Sequence, residues 1–429
     1  MKIAIGFESI DPRRGGAETY VVDLLRGLIQ RGCRVDLFAS SWRPDEIPDS
    51  VQLHRVDLKG SDWPRSWRTR HFAQRCAEAI QAKRDCFDCV VGLIGTIEQD
   101  VLIPQGGVRQ ASLEYNAQRF QTKWGRHLYK MGKWLNPKWW TDLEIERRQY
   151  SSHSRTLIVA VSHFVKSHLM RYHAVSEDRI RVIPNAVHLD RLRITSADRE
   201  RARALLRSRY GIGLDTHVGL FVGHNFRLKG IEPLFRGFRA FLDTWAARNP
   251  GFAPPIMLLV CGGGRPEPFQ NLAVRLNIAD RVQFAGFLPE IRQAYLAADF
   301  FVSPTFYDPC SLVVFEALVH GLPVITTAQN GAGEILCPGR EGFVLKTPYD
   351  TPGLIAAFDQ LLNPKVLRQM SVAAERLGRE QSFDRHVDRL LDVFDEAARL
   401  RRDSGSFARS RRRSVSHLES RVILREDQR

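Results

Sequence analysis

Two loops of this 429-residue chain carry residue types whose spacing suits phosphate and sugar chemistry. The first is Asp308-Pro309-Cys310-Ser311-Leu312-Val313-Val314-Phe315-Glu316, which follows a strand pattern and opens the apolar helix pattern Leu312 to Leu318. A helix start presents unpaired backbone N–H groups and a positive dipole end, a ready site for a diphosphate. Asp308 precedes that turn, where its carboxylate either caps the helix or takes a ligand hydroxyl. Glu316 falls one turn beyond Leu312 on the same side, placed to accept hydrogen bonds from both hydroxyls of a ribose. The bland alternative is a capping Asp and a solvated helix Glu. The second loop, Gly223-His224-Asn225-Phe226-Arg227-Leu228-Lys229-Gly230, leaves a strand pattern that ends at Gly223. Arg227 offers a planar fork to phosphate oxygens and Lys229 a point charge, and such cations stabilise a departing diphosphate. Ordinary exposed loop charges are the competing reading. Gly15-Gly16 adds a turn without Cβ atoms, where backbone can approach a phosphate or sugar.

Strands and helices must position these loops. Lys2 to Phe7 reads as a buried strand, the helix-period run Thr19 to Gln30 ends at Gly32, and Arg34 to Ala39 is the next strand. That order, with a glycine-rich first turn, opens a parallel doubly wound sheet. Short apolar strands recur at Cys89 to Leu93, Thr156 to Val161 and Ile180 to Ile183, before Pro184-Asn185-Ala186 interrupts them. A second set begins with a helix around Glu200 to Arg209. Its strands are Val218 to Val222, Ile256 to Val260, Phe300 to Ser303 and Pro323 to Thr326. The predicted fold class is therefore α/β, with two doubly wound halves meeting near residue 190 and ligands in the cleft between them.

Composition narrows the partners. Lys and Arg number 63 against 48 Asp and Glu, a formal net charge of +15 that favours an anionic partner. The excess is concentrated: ten Lys and Arg face four acids from Gly106 to Arg155, and nine Arg face four acids from Arg401 to Arg429. Seven cysteines at scattered positions do not form a disulfide framework, and the lone Cys86-x-x-Cys89 has no partners for a zinc set. No Asp-x-Asp, His-Glu-x-x-His or Gly-x-Ser-x-Gly motif is present, so no metal is expected and hydrolase readings are removed. The N-terminal apolar run is too short for a signal peptide, and no stretch reaches 18 uninterrupted apolar residues, so a cytoplasmic location is expected. Between Arg119 and Leu135, Phe120, Trp124, Leu128, Met131 and Leu135 recur at helical spacing beside Arg119, Lys123, Arg126, Lys130 and Lys133, with Trp134, Trp139 and Trp140 following. That pattern predicts an interfacial helix on an anionic membrane surface, or else a domain helix packed on its own sheet.

Taken together, the motifs resemble the GT-B glycosyltransferases of the large retaining family 4, over roughly Lys2 to Arg399. The resemblance rests on Gly15-Gly16-Ala17-Glu18, on Pro184-Asn185-Ala186-Val187 running to Asp190-Arg191, on Arg227 with Lys229, and above all on Asp308 to Glu316 followed by Gly321-Leu322-Pro323-Val324. The layout is most similar to lipopolysaccharide core glucosyltransferases. The resemblance implies two Rossmann-like domains facing a central cleft, residues 1–188 and 189–375. A helix over 376–400 would return to the first domain, and 401–429 would be a basic disordered tail. It implies that Arg227 and Lys229 bind the donor diphosphate, Glu316 the ribose and Asp308 the donor-sugar hydroxyls. Gly15, Gly16, Arg191, Asn225 and backbone from Ser311 through Leu312 to Val313 would complete the substrate site. The implied activity is metal-independent transfer of a hexose, glucose from UDP-glucose, to a cell-envelope glycan or glycolipid by an enzyme held peripherally on the inner face of the cytoplasmic membrane. Asp308 stands where the family usually has Glu, and Gln105 where many relatives carry His. The alternatives are another enzyme of this fold, such as a nucleotide-sugar epimerase, and a basic nucleic-acid-binding protein. The Arg-rich tail lacks interleaved aromatics, so nucleic acid is not an expected partner.

Overall fold

The computed structural model describes residues 1–12, 15–58, 65–151, 154–189 and 195–403. In the first half, seven parallel strands run in the order Gln52–Arg55, Arg34–Ala39, Lys2–Gly6, Cys89–Gly92, Val101–Leu102, Leu157–Ala160, Ile180–Val182. In the second, six parallel strands run Val282–Gly286, Ile256–Cys261, His217–Val222, Phe300–Val302, Val324–Thr327, Gly342–Leu345. Each sheet grows outward on both sides of its first strand, the doubly wound arrangement that opens a crevice where the strand order reverses. The strands read as continuous apolar runs because helices cover both faces of each sheet; Ile3, Ile5, Val35, Leu37, Val218 and Leu220 are all buried.

The covering helices of the first half are α1 (Gly16–Gln30), α2 (Arg65–Gln81), α3 (Arg109–Ala117), α4 (Lys123–Trp134), α5 (Pro137–Gln149) and α6 (His163–His173). Those of the second are α7 (Ser196–Tyr210), α8 (Ile231–Arg248), α9 (Glu267–Arg275), α10 (Arg292–Ala297), α11 (Leu312–Val319), α12 (Thr351–Leu361) and α13 (Pro364–Glu380). The single helix expected from Arg119 to Leu135 is corrected: α3 stops at Ala117 and α4 starts at Lys123, leaving Arg119 and Phe120 in an elbow. Thr122 causes the break, because its side chain caps α4 by accepting from the Gly125 N–H at 3.0 Å. The basic tail expected over 401–429 is helical at 401–403 and otherwise lies outside the described residues.

After α13 the chain returns to the first sheet. Ser382 pairs with Val187, and a helix over 383–403 then lies along α1. The Tyr20 hydroxyl and His386 Nε2 are 2.9 Å apart, Arg31 pairs with Asp388 and Asp384, and Arg181 pairs with Glu396. Gly27 makes the contact possible, since a Cβ there would lie 2.7 Å from a Val387 methyl. Overpacking of this kind costs about 1–3 kcal/mol. Gly27→Val is therefore expected to lower the urea midpoint without changing the slope, and a wild-type midpoint would show that the returning helix moves aside freely.

Candidate active site

The loops at the two switch points converge. In the second half these are the loop after His217–Val222 and the loop after Phe300–Val302. Gly230, in the left-handed region at φ 80°, lets them touch: a Cβ would fall 1.9 Å from the Pro304 carbonyl oxygen. The Leu228 carbonyl accepts from the Phe306 N–H and the Thr305 hydroxyl, both at 3.0 Å. This stitching brings the Lys229 ammonium onto the Asp308 carboxylate as an ion pair, 3.4 Å from the Ser311 hydroxyl. Asp308 is buried and does not cap the helix. Ser311 takes the N-cap position and gives its own N–H to the Asn330 side-chain oxygen at 3.3 Å. Leu312 and Val313 then form the first turn of α11, where backbone N–H groups have no helical acceptor. Glu316 is half-buried and paired: it accepts from the Tyr295 hydroxyl at 2.7 Å, and burial raises its pKa against that bond.

The first half meets this loop directly. A Cβ on Gly16, the first residue of α1, would lie 3.2 Å from the Leu312 side chain, so the N-termini of α1 and α11 come together. Gly15 is the extended N-cap of α1. Asn225 shapes its turn by accepting from the Leu228 N–H at 3.2 Å. Arg227 is exposed and has no hydrogen-bond acceptor among the described residues, whereas Arg191 lies outside them. Lys229, Asp308, Ser311, Leu312 and Gly16 are thus gathered at one place, with Glu316 one helical turn deeper.

Further residues bind the halves together. The Ser162 hydroxyl donates to the Pro309 carbonyl at 2.7 Å, and the Asn185 side-chain amide to the Cys310 carbonyl at 2.9 Å. The Val108 N–H donates to the Tyr307 hydroxyl at 3.0 Å. Gln105 reaches Asn185 at 3.2 Å, so its amide belongs to this fastening. Asn185 and Gln105 were visible in the sequence, the first in the Pro-Asn-Ala interruption and the second where many relatives carry His; Ser162 and the Val108 backbone N–H carry no local signal, because their partners lie far along the chain.

Beside the junction lies a cavity of about 670 Å³ on the first-half side, lined among others by Glu8, Gly107, Tyr129, Asp142, Glu146 and Leu228. Asp142 is buried between Arg109 at 3.0 Å and Lys138 at 2.9 Å. Glu146, one turn later on α5, accepts from the Arg109 N–H at 3.0 Å, and burial lifts its pKa to about 7. Their signal in the sequence was being two of only four acids in a basic stretch. Among the described residues no group of three or more His, Cys, Asp or Glu is gathered to hold a metal ion, and all seven cysteines are free.

Residues 203–377 match the family described as glycosyl transferases group 1, and residues 14–91 and 115–191 match glycosyltransferase family 4. The chain belongs to the family 4 glycosyltransferases. The Burkholderia thailandensis protein named probable transglycosylase is 29% identical over 91% of this chain and 96% of its own. The lipopolysaccharide glucosyltransferase WaaG of Escherichia coli K12 is 22% identical over 82% of this chain and 88% of its own. A WaaG crystal structure superposes with a TM-score of 0.72 at 20% identity, over 91% of this chain and 99% of that one. Anabaena HepE in complex with UDP-glucose superposes at 0.60 and 16% identity, over 94% and 100% of the two chains. This glycosyltransferase transfers a sugar from a nucleotide-sugar donor to a glycan or lipid acceptor, on the GT-B fold that its two sheets form.

Glu146 gives the cavity wall of the glycosyltransferase a pH signature. Its folded pKa of about 7 lies above the ordinary 4.5, so the folded state holds the proton more tightly than the unfolded chain. That contribution is complete below pH 4.5 and is lost as the pH rises through 7. Glu146→Gln should therefore match wild type near the acid limit and become more stable by about 2–3 kcal/mol at pH 8. Denaturant unfolding at several pH values checks this; a difference that does not vary with pH would contradict it.

Proposed function

We propose that this enzyme is a retaining hexosyltransferase that moves glucose from UDP-glucose to a lipid-linked cell-envelope glycan of the lipopolysaccharide-core class. The observation that carries this reading is the gathering of Lys229, Asp308 and Ser311 at the open start of α11, with Gly16 opposite. In this reading the diphosphate lies against the first N–H groups of α11, and Lys229 and Arg227 neutralise the charge that develops as it departs. An ammonium has three donors, so Lys229 can keep Asp308 and still reach a phosphate oxygen. Asp308 takes hydroxyls of the donor sugar and Glu316 the ribose. Gly15 and Gly16 give backbone access, and Asn225 shapes the cationic turn. No side chain in these motifs is placed as an obvious nucleophile. We therefore favour a front-face reaction: the bond from the sugar's anomeric carbon to the diphosphate breaks, the acceptor oxygen bonds to that carbon on the same face, and the acceptor proton passes to the leaving phosphate. The names of the WaaG and HepE relatives support glucose, UDP and a lipopolysaccharide acceptor.

Peripheral attachment to the inner face of the cytoplasmic membrane completes the proposal. Every residue of α4 stays at least partly accessible, and Trp124, Leu128, Met131, Trp134, Leu135 and Trp140 are exposed, Trp124 at 74% and Leu135 at 77%. The stripe therefore does not pack on the enzyme's own sheet, which was the alternative for this segment. Exposed apolar surface beside Lys123, Lys130 and Lys133 fits an acidic lipid surface, where each cation adds roughly 1 kcal/mol. Among the described residues no helix is long and apolar enough to cross a membrane.

Two measurements test these readings. Lys229→Ala and Arg227→Ala should each lower turnover by about 10²-fold or more while the protein stays folded, the loss of a preorganised charge donor. Near-normal rates in both would sink the donor-site assignment. In flotation, the native protein should rise with vesicles containing phosphatidylglycerol at low salt, and a variant carrying Lys123→Glu, Lys130→Glu and Lys133→Glu should not. A native protein that stays at the bottom of the gradient rejects membrane docking.

A further inference from the structure

Arg119 occupies an unusual electrostatic position. It lies in the elbow between α3 and α4, and that elbow is fastened to the second half of the molecule. The Arg119 carbonyl accepts from the Tyr349 hydroxyl at 3.0 Å, and the Gln118 side chain accepts from Gln329 at 2.8 Å. The guanidinium stands over the rings of Tyr129 at 4.5 Å and Phe120 at 4.9 Å, which hold its plane. Its Nε is buried without a hydrogen-bond partner, and none of its donors finds an acceptor among the described residues. Burial lowers its pKa; the Tyr129 hydroxyl opposes that effect, and the charge of nearby Arg227 adds to it.

Other arginines around the cleft are neutralised. Arg68 meets Glu8 at 3.1 Å, and Arg109 meets Asp142 at 3.0 Å. The Arg119 elbow instead sits beside the Arg227 loop: the Tyr349 ring, whose hydroxyl holds the Arg119 carbonyl, packs 5.6 Å from Phe306, and the Phe306 N–H binds the carbonyl of Leu228, next to Arg227. Each guanidinium is a five-donor fork with no carboxylate among the described residues. Keeping the partly buried Arg119 unpaired near a second cation is unfavourable unless an anion joins them. A phosphate is the anion that suits two planar forks, since it accepts paired hydrogen bonds from each. Arg227 is also two residues from Lys229, whose ammonium marks the start of α11.

We propose that Arg119 is a further donor-binding residue, closing a phosphate clamp with Arg227 from the opposite side of the cleft. The clamp rests on the donor-site reading above and adds a residue from the first half to it. A phosphate or other anionic group on the acceptor would satisfy the same pair of forks, so the test separates the two sources.

Binding of UDP and of uridine is measured by titration calorimetry on the full chain, for wild type, Arg119→Met, Arg119→Lys and Arg227→Ala, with acceptor KM measured in parallel. Arg119→Met keeps the packing of the stem and removes a repelled charge, so its thermal midpoint should not fall. It should weaken UDP by about tenfold or more and leave uridine unchanged, with Arg119→Lys intermediate because it keeps the charge and loses the fork. Unchanged UDP affinity in Arg119→Met, with a clear loss in Arg227→Ala, overturns the clamp alone. Unchanged affinity in both overturns the donor-site reading beneath it. A raised acceptor KM with UDP binding untouched assigns the cation pair to an anionic acceptor group and overturns the diphosphate assignment.

Discussion

The segment from Tyr307 to Ser311 is held by hydrogen bonds from both halves of the molecule at once. Ser162, Asn185 and Val108 reach it from the first half, and Asn330 from its own half. Across the same seam, Glu334 of the second half accepts from the N–H of His163 at 2.8 Å, placing a carboxylate at the positive end of α6. Buried backbone carbonyls such as those of Pro309 and Cys310 must find donors, and here the donors are supplied by the opposite half. The location of Asp308 and of the start of α11 is thus a property of the closed pair of sheets. A relative rotation of the halves would break these bonds together and displace the Lys229–Asp308 pair with them.

Charge around the cleft divides into two kinds. Two carboxylates on the first-half wall are matched to cations: Asp142 lies between Arg109 and Lys138, and Glu8 lies against Arg68. At the seam itself the balance is positive. Lys229 has a partner but retains donors, and Arg227 and Arg119 have no acid at all among the described residues. Arg119, partly buried and held over two rings, strengthens a bond to an incoming anion because its surroundings have a lower dielectric and its plane is already oriented. The net charge of +15 therefore has a local meaning that composition alone does not convey.

Helix α4 links the surface to that seam. Its outward side exposes Trp124, Leu128 and Leu135, while Tyr129 on another side lies under the Arg119 guanidinium and lines the cavity with Lys133. In the proposed docked state, one twelve-residue helix would contact lipid, border the cavity and orient a cation toward the donor. Helical periodicity makes this possible, since residues three to four apart share a side and intervening ones face elsewhere.

By itself, the sequence determined the α/β class, the doubly wound order of the first strands and the two loops that carry Lys229 and Asp308. These are short-range properties: apolar runs of strand length, glycine turns, and a helix pattern opening at Leu312 all act within a dozen residues. It also marked α4 as amphipathic, but left open whether the stripe faced protein or solvent. Its spacing arguments joined Arg119 and Phe120 to α4, whereas the Thr122 cap ends the helix before them. Only the tertiary structure decided the rest. Asp308 pairs with Lys229, 79 positions away, instead of capping its helix, and Glu316 accepts from the Tyr295 hydroxyl. The seam residues Ser162 and Asn185 meet carbonyls 147 and 125 positions distant. Local periodicity is written in neighbouring residues, but a buried polar group takes whichever partner the packing of whole sheets brings within hydrogen-bond reach, and that choice has no local signature.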